Sequence, residues 1–351
     1  MTTASPIKIL IIRLLNTSDV ASIAVPAIRY FKKQYPSAQI SLMTFAQGGQ
    51  LVELAEPDVT LIHLNKSDWP DNLLPAMESF LGFAEQIVGE GYDQIINLDT
   101  SFMACFLTRF LKDAGERVMG NFMNLSVQAL IEQFQSQQLT PEYVSAPQHY
   151  MDSTFALMSR WFTRWWESSY LPDNGYPEYY LANCCGFDRL EFDMQIALEP
   201  DSNLMAKKQA SEKQKVIALT SNALPNYPYQ AELKSLLETK GYQVWSEALS
   251  EQPIKSQLEK LAATDLLVSP PAEFYWLAKA AGCETLLITG DSDPAVLMPD
   301  YVTEPTPECE ACMKALQGQH SDLPCVCIKP ELLAEQIDEL LTSAAKGELN
   351  G

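Results

Sequence analysis

The chain has 351 residues, 47% hydrophobic and 20% charged, with a formal net charge of −21 at pH 7. That length holds two ordinary domains. The acidity disfavours nonspecific binding to DNA, RNA or anionic lipid, each of which needs a basic face. No uninterrupted apolar run approaches the ~18 residues of a membrane span, and the short polar start at residues 1–6 does not read as a signal peptide. A cytoplasmic protein is therefore expected. Disulfides are rare there, so the eight cysteines read as buried, metal-binding or reactive.

Residues 7–12 form a short apolar run with β-branched residues, the pattern of a strand buried on both faces. A polar loop follows (Asn16, Thr17, Ser18, Asp19). It leads into a helix with Val20, Ile23, Ala24, Ala27, Ile28 and Phe31 on one face. Thr17 or Ser18 can cap that helix, and Asp19 would sit in its first turn, where the helix dipole favours negative charge. A strand, a polar loop and a helix N-terminus make the ligand-facing corner of an open α/β sheet. Further strands are expected at residues 39–44, 59–64 and 92–98. Helices are expected at 50–55, 77–88 and 102–111, the last capped from Asp99-Thr100-Ser101. Residues 115–148 are less regular. A helix from about His149 to Trp166 would carry Met151, Phe155, Met158, Phe162 and Trp165 at core spacing. The aromatic-rich stretch 168–200 reads as the tail of the first domain plus a linker.

The alternation then restarts. Strands are expected at 216–220, 242–245, 265–269 and 284–289, and helices at 230–240, 254–262 and 273–281. A last helix, to residue 341, has Pro330 at its favoured first position. Strands alternating with helices argue parallel sheets with helices on both faces, in both halves.

Several segments carry a family pattern. They are K-I-L-I-I-R followed by a short loop, Asp19, Val20 and Pro26; Tyr92-Asp93 before I-I-N-L-D; His149; L-A-K-A-A-G at 277–282; G-D-S-D-P at 290–294; and Pro299. Together they resemble the family-9 glycosyltransferases, the group of the ADP-heptose:lipopolysaccharide heptosyltransferases. The resemblance implies the α/β GT-B fold, two facing Rossmann-like domains with parallel sheets. Residues 1–170 would be the acceptor domain, 171–210 a linker and aromatic-rich segment, 211–328 the donor domain, and 329–351 a C-terminal helix and tail. It also implies a nucleotide sugar as substrate. Asp19 would be the base that takes the acceptor's proton, and Arg13, Asn16, Thr17 and Ser18 would lie around an acceptor or phosphate. Thr220, Ser221, Glu273 and Asp293 would lie at the donor. Without the resemblance, Asp19 reads as a helix-stabilising carboxylate and Arg13 as the ion-pair partner of Asp19 or of another carboxylate.

The departures fall mainly on the donor side. Ser18 stands where the family has Gly, and Pro225 where it has Lys. The donor loop, Asp-Ser/Thr-Gly-x-x-His in the family, is here Pro271, Ala272, Glu273, Phe274, Tyr275 and Trp276. Pro270 and Pro271 have no N–H to offer a diphosphate. A carboxylate ~4 Å from a phosphate charge costs ~1 kcal/mol in water and ~4 kcal/mol at an effective dielectric of about 20. The expected function is sugar transfer from a nucleotide-activated donor to a soluble, even protein, acceptor, since acidity opposes an anionic membrane. The alternative is an inactive GT-B scaffold that binds or assembles partners.

Cys309, Cys312, Cys325 and Cys327 form C-x-x-C, twelve residues, then C-x-C. Four thiolates in two close pairs suit structural Zn or Fe, with His320 as a reserve ligand. The plainer reading is four reduced thiols on a loop. Cys184 and Cys185 are vicinal and not expected to pair, while Cys105 and Cys283 sit in apolar runs. Trp161, Trp165 and Trp166 suit packing, a sugar platform or a subunit interface, and the sequence leaves an oligomer open. No G-x-x-x-x-G-K, G-x-G-x-x-G or H-E-x-x-H occurs.

Overall fold

The structure is a computed structural model. It describes residues 6–65, 73–169, 171–219, 227–246, 252–271, 274–288, 293–303 and 327–347. The chain divides into two compact units: Met1–Pro172 with Pro177–Met194, and Asp173–Tyr176 with Gln195–Gly351. The α/β expectation holds in both, since each is built on a mostly parallel sheet. The stretch read as a linker is shared out between them. Residues 177–194 pack in the first unit, and the helix Ser202–Ala210 belongs to the second.

The first sheet contains β1 (Lys8–Ile12), β2 (Gln39–Phe45), β3 (Thr60–Leu64), β4 (Gln94–Asn97), β5 (Val118–Met123) and β6 (Met151–Ser153). Their order is β3-β2-β1-β4-β5-β6, and only β5–β6 is antiparallel. Chain order reverses at β1, which pairs with β2 on one side and β4 on the other. Open α/β sheets leave a crevice beyond the strand ends at such a point. Ile9 to Ile12 are no more than 2% exposed, so the bounded apolar run is a strand covered on both faces.

The helix after β1 begins with Thr17–Asp19, widens into a π turn at Val20–Ala24 and continues as Val25–Gln34. Its cap is Asn16, not Thr17 or Ser18: the Asn16 Oδ1 accepts from the Asp19 N–H at 2.9 Å. Pro26 has no N–H to give the preceding turn, and the widening just before it lets the helix continue. Residues Val20 to Ile28 are all buried.

Two expectations fail here. β5 lies in the stretch read as irregular, because Gly120 and Asn121 interrupt its apolar pattern. The expected helix from His149 to Trp166 is instead a short turn at Pro147–Tyr150, then β6, then two 3₁₀ turns at Met158–Phe162 and Trp165–Glu167. Polar side chains take over the backbone groups there. The Thr154 hydroxyl accepts from the Gly120 N–H at 2.8 Å, and the Ser153 hydroxyl accepts from the Phe155 N–H at 3.1 Å.

In the second unit, β7 (Val216–Leu219), β8 (Gln243–Trp245), β9 (Leu266–Ser269), β10 (Glu284–Leu287) and β11 (Tyr301–Val302) form a parallel sheet. Its order is β11-β10-β9-β7-β8. The helix Gln230–Thr239 ends as expected near Gly241, whose φ of +92° suits only glycine without strain. The final helix, Pro330–Gly347, buries Leu333, Ala334, Ile337 and Leu341 in a core with Leu233 and Leu237. No described helix is long and apolar enough to cross a membrane.

Candidate functional site at the end of the first sheet

Arg13 directly follows β1, and its N–H still bonds the Met43 carbonyl of β2 at 3.1 Å. Leu98 follows β4, and its N–H bonds the Ile12 carbonyl at 3.1 Å. The parallel ladder therefore brings two polar segments, Arg13–Asp19 and Leu98–Ser101, to one end of the sheet at the switch point.

Arg13 is 1% exposed. Its Nε and Nη2 donate to the two Asp19 oxygens at 2.5 and 2.6 Å, and its Nη1 donates to the Leu98 carbonyl. The guanidinium carbon lies 5.3 Å from the centre of the Tyr180 ring. Of the two roles expected for Arg13, holding an anion or pairing with Asp19, the structure has the second. The Asp19 side chain keeps 15% of its surface exposed. Burial pushes its carboxyl above the ordinary value; Arg13 pulls against that shift, and Asp99 adds to it. Burial opposes the Arg13 charge, but Asp19, Tyr180 and Asp99 outweigh it and hold the guanidinium above its ordinary pKa.

Asp99 does not cap the next helix, Phe102–Asp113. It is fully buried, and its oxygens accept from the Leu14 N–H at 2.5 Å and the Ser101 N–H at 2.7 Å. The Asp99 N–H donates to the Asn97 Oδ1 at 2.9 Å. The Asn97 Nδ2 reaches the Asn121 carbonyl at 2.7 Å. The Asn121 Nδ2 returns to the Asp99 carbonyl at 3.0 Å and the Tyr180 hydroxyl at 3.1 Å. Tyr180, fully buried, donates to the Leu98 carbonyl at 2.8 Å. It sits in a second π turn, Tyr179–Cys184. β5 comes close enough for this network only because residue 120 is glycine. Its φ is +101°, and an added Cβ would lie 2.1 Å from the Asn97 carbonyl oxygen.

Asn16 is exposed and Thr17 half-buried, while Ser18 is buried with a hydroxyl that finds no hydrogen-bond partner among the described residues. The sequence reading missed Asp99, Asn121 and Tyr180 as site residues. Polar Asn97 and Asp99 closing an apolar strand, and Asn121 beside Gly120, were the available signals.

The second sheet's switch point is built differently. β9 ends in Ser269 and runs into Pro270 and Pro271, and the Ser269 hydroxyl bonds the Pro270 carbonyl. The helix Tyr275–Ala280 starts with no side-chain cap. Of the expected donor residues, Thr220, Ser221 and Glu273 lie outside the described residues. Asp293 is described: it is exposed and caps the short helix Pro294–Leu297, accepting from the Ala295 N–H at 2.9 Å.

Cys309, Cys312, Cys325 and His320 also lie outside the described residues, among which no cluster of metal ligands occurs. Cys105 and Cys283 are buried free thiols, as their apolar runs lead one to expect, and the vicinal Cys184 and Cys185 are unpaired and buried as well. Burial pushes the Cys184 thiol up to about 12. Trp165 is 6% exposed and stacks on Tyr179 at 4.2 Å, which is packing.

No family model and no curated protein matches the chain. Solved structures do. A glycosyl transferase of family 9 from Veillonella parvula DSM 2008 is 14% identical with a TM-score of 0.62, over 98% of this chain and 99% of that one. An E. coli ADP-heptose LPS heptosyltransferase II is 17% identical with a TM-score of 0.56, over 97% and 100%. An E. coli heptosyltransferase, solved with ADP-2-deoxy-2-fluoro heptose, is 15% identical with a TM-score of 0.55, over 95% and 99%. At these identities the likeness carries the fold, which is of the GT-B type.

Proposed function

We propose that this protein is a cytoplasmic glycosyltransferase that moves a sugar from a nucleotide-activated donor to a soluble acceptor, with Asp19 as the base. The observation that carries the reading is the Arg13–Asp19 pair. A carboxylate is held by two charge-assisted bonds at the sheet's switch point, and part of its surface stays open. As the acceptor oxygen bonds the sugar's anomeric carbon, the bond to the nucleotide diphosphate breaks. Asp19 takes the hydroxyl proton, and the diphosphate leaves with the bonding pair. A carboxyl lifted by burial is a stronger base than a free one, so the raised pKa of Asp19 suits the task. The GT-B fold supports the same class of reaction, and one similar solved protein holds an ADP-sugar analogue.

Arg13 is a positioning residue in this reading. Asn16 and Thr17 line the acceptor's approach, with Ser18 beneath them. Thr220, Ser221, Glu273 and Asp293 are assigned to the donor by resemblance. The acceptor is a soluble molecule or protein, consistent with a chain of net charge −21. A structural Zn or Fe on Cys309, Cys312, Cys325 and Cys327 belongs to the same reading and rests on their spacing. Purified protein without stoichiometric metal would end that part of it.

One observation favours a second reading, a GT-B scaffold without catalysis. Pro270 and Pro271 follow β9 without an N–H between them. Calorimetric titration with ADP- and UDP-sugars separates the two. Binding, followed by transfer that Asp19→Asn abolishes, supports the enzyme; no heat with any donor supports the scaffold.

A further inference from the structure

Arg13 can keep Asp19 in one place only if Arg13 is itself held, and part of that hold comes from residue 180. Tyr180 is fully buried, and the Arg13 guanidinium carbon lies over its ring at 5.3 Å from the centre. The Tyr180 hydroxyl donates to the Leu98 carbonyl at 2.8 Å, the same oxygen that accepts from Arg13 Nη1. The Asn121 Nδ2 donates to that hydroxyl at 3.1 Å. The ring is thus tied at its tip by two hydrogen bonds. A guanidinium over an aromatic ring is attracted to it and cannot swing through it. The turn that delivers Tyr180 is fastened in its own right. Its first residue, Tyr179, stacks on Trp165 at 4.2 Å and donates to the Arg160 carbonyl at 3.3 Å, one partner in each of the two 3₁₀ turns.

From this geometry we infer that Tyr180 is a positioning residue: tied to Leu98 and Asn121, its ring braces the Arg13 guanidinium and, through it, the Asp19 carboxylate. The Nε and Nη2 bonds fix Arg13 to Asp19, which sits on a helix start. The Nη1 bond and the ring fix it to the end of β4, so the brace refers the carboxylate to the sheet. The site on the first sheet therefore needs a residue from 177–194, a segment that rejoins the first unit after residues 173–176 have entered the second. The catalytic meaning of the brace rests on the proposed role of Asp19. The brace itself does not.

The test reads Arg13 directly, by NMR on the full chain labelled with 15N-arginine. A guanidinium held by bonds on three sides turns slowly about its C–N bonds, so its Nη groups give separate signals; a loosened one gives a single averaged signal. The Arg13 signals are assigned by their absence in Arg13→Lys. They should be separate in the natural chain and averaged in Tyr180→Leu, which removes the ring. Tyr180→Phe keeps the ring and loses only its tie, so its signals should average less than those of Tyr180→Leu and more than those of the natural chain. Sugar transfer should follow the same order, with kcat down by about 10²-fold in Tyr180→Leu and donor affinity by calorimetry unchanged. A merely structural role would lower the melting temperature and leave the Nη signals separate. Separate signals in folded Tyr180→Leu, or a larger effect in Tyr180→Phe than in Tyr180→Leu, overturn the inference. Should Tyr180→Leu fail to fold, Tyr180→Phe carries the test, and averaging no different from the natural chain overturns it. Sugar transfer surviving in Asp19→Asn would instead overturn the assignment of the base, and leaves the Arg13 result standing.

Discussion

Among the described residues, the strand ends at the two switch points of this chain differ in chemistry. At the end of β1 and β4, Arg13, Asp19, Asn97, Asp99, Asn121 and Tyr180 form one hydrogen-bonded network around a buried cation. At the end of β9, two consecutive prolines follow the strand, and the next helix opens without a side-chain cap. Among the described residues, one sheet end thus gathers a dense polar network, while β9 is followed by two residues that offer no N–H. Fold likeness over nearly the whole chain does not distinguish the two ends. Only the local chemistry does.

The sharpest way to break the comparison is at Asp19. Asp19→Asn should lower turnover by about 10²- to 10⁴-fold with donor affinity unchanged, measured by transfer assay and calorimetry. An unchanged rate would reduce the first network to a structural one. The pH profile sharpens the same point. A base must be ionised, and burial raises the Asp19 pKa, so kcat/KM should fall with decreasing pH along a limb lying above the ordinary carboxyl range near ~4. A limb at or below that range would contradict the burial argument.

Arg13→Met should cost about 3–5 kcal/mol in urea unfolding, because it leaves the largely buried Asp19 carboxylate without its cation. Gly120→Ala should cost about 2–3 kcal/mol, since φ there is positive and the new methyl would meet the Asn97 carbonyl. If the network matters to activity, this variant should also lose turnover, although it touches no substrate. The smallest effect is expected at the other end. Replacing Pro271 by Ala and Glu273 by Gly restores an N–H and removes a negative charge, and should tighten ADP by about tenfold. No change would mean that more than these residues separates this end from a diphosphate site.

Part of the molecule was legible in the chain alone. Bounded apolar runs such as residues 9–12 and 216–219 specify buried strands. Helical spacing from Val20 to Phe31, and Gly241 after residues 230–239, specify helices and their ends. These signals are local: periodicity and a residue's backbone preference act within a few positions. The parallel α/β class follows from their alternation.

What the sequence could not decide was assembled from distant segments. Asn97 meets Asn121, and Asn121 meets Tyr180, 59 positions further along. Tyr180 lay in a stretch that reads as the tail of the first domain plus a linker, with no local sign of a site, and β5 was hidden by the Gly120-Asn121 pair it needs in order to approach β4. The expected helix at residue 149 failed because β6 finds a partner strand in β5, a pairing that no local pattern announces. From the sequence Asp19 was the candidate base. The tertiary structure placed it on a buried arginine next to a second buried carboxylate, because only the folded sheet brings the ends of β1 and β4 to one place.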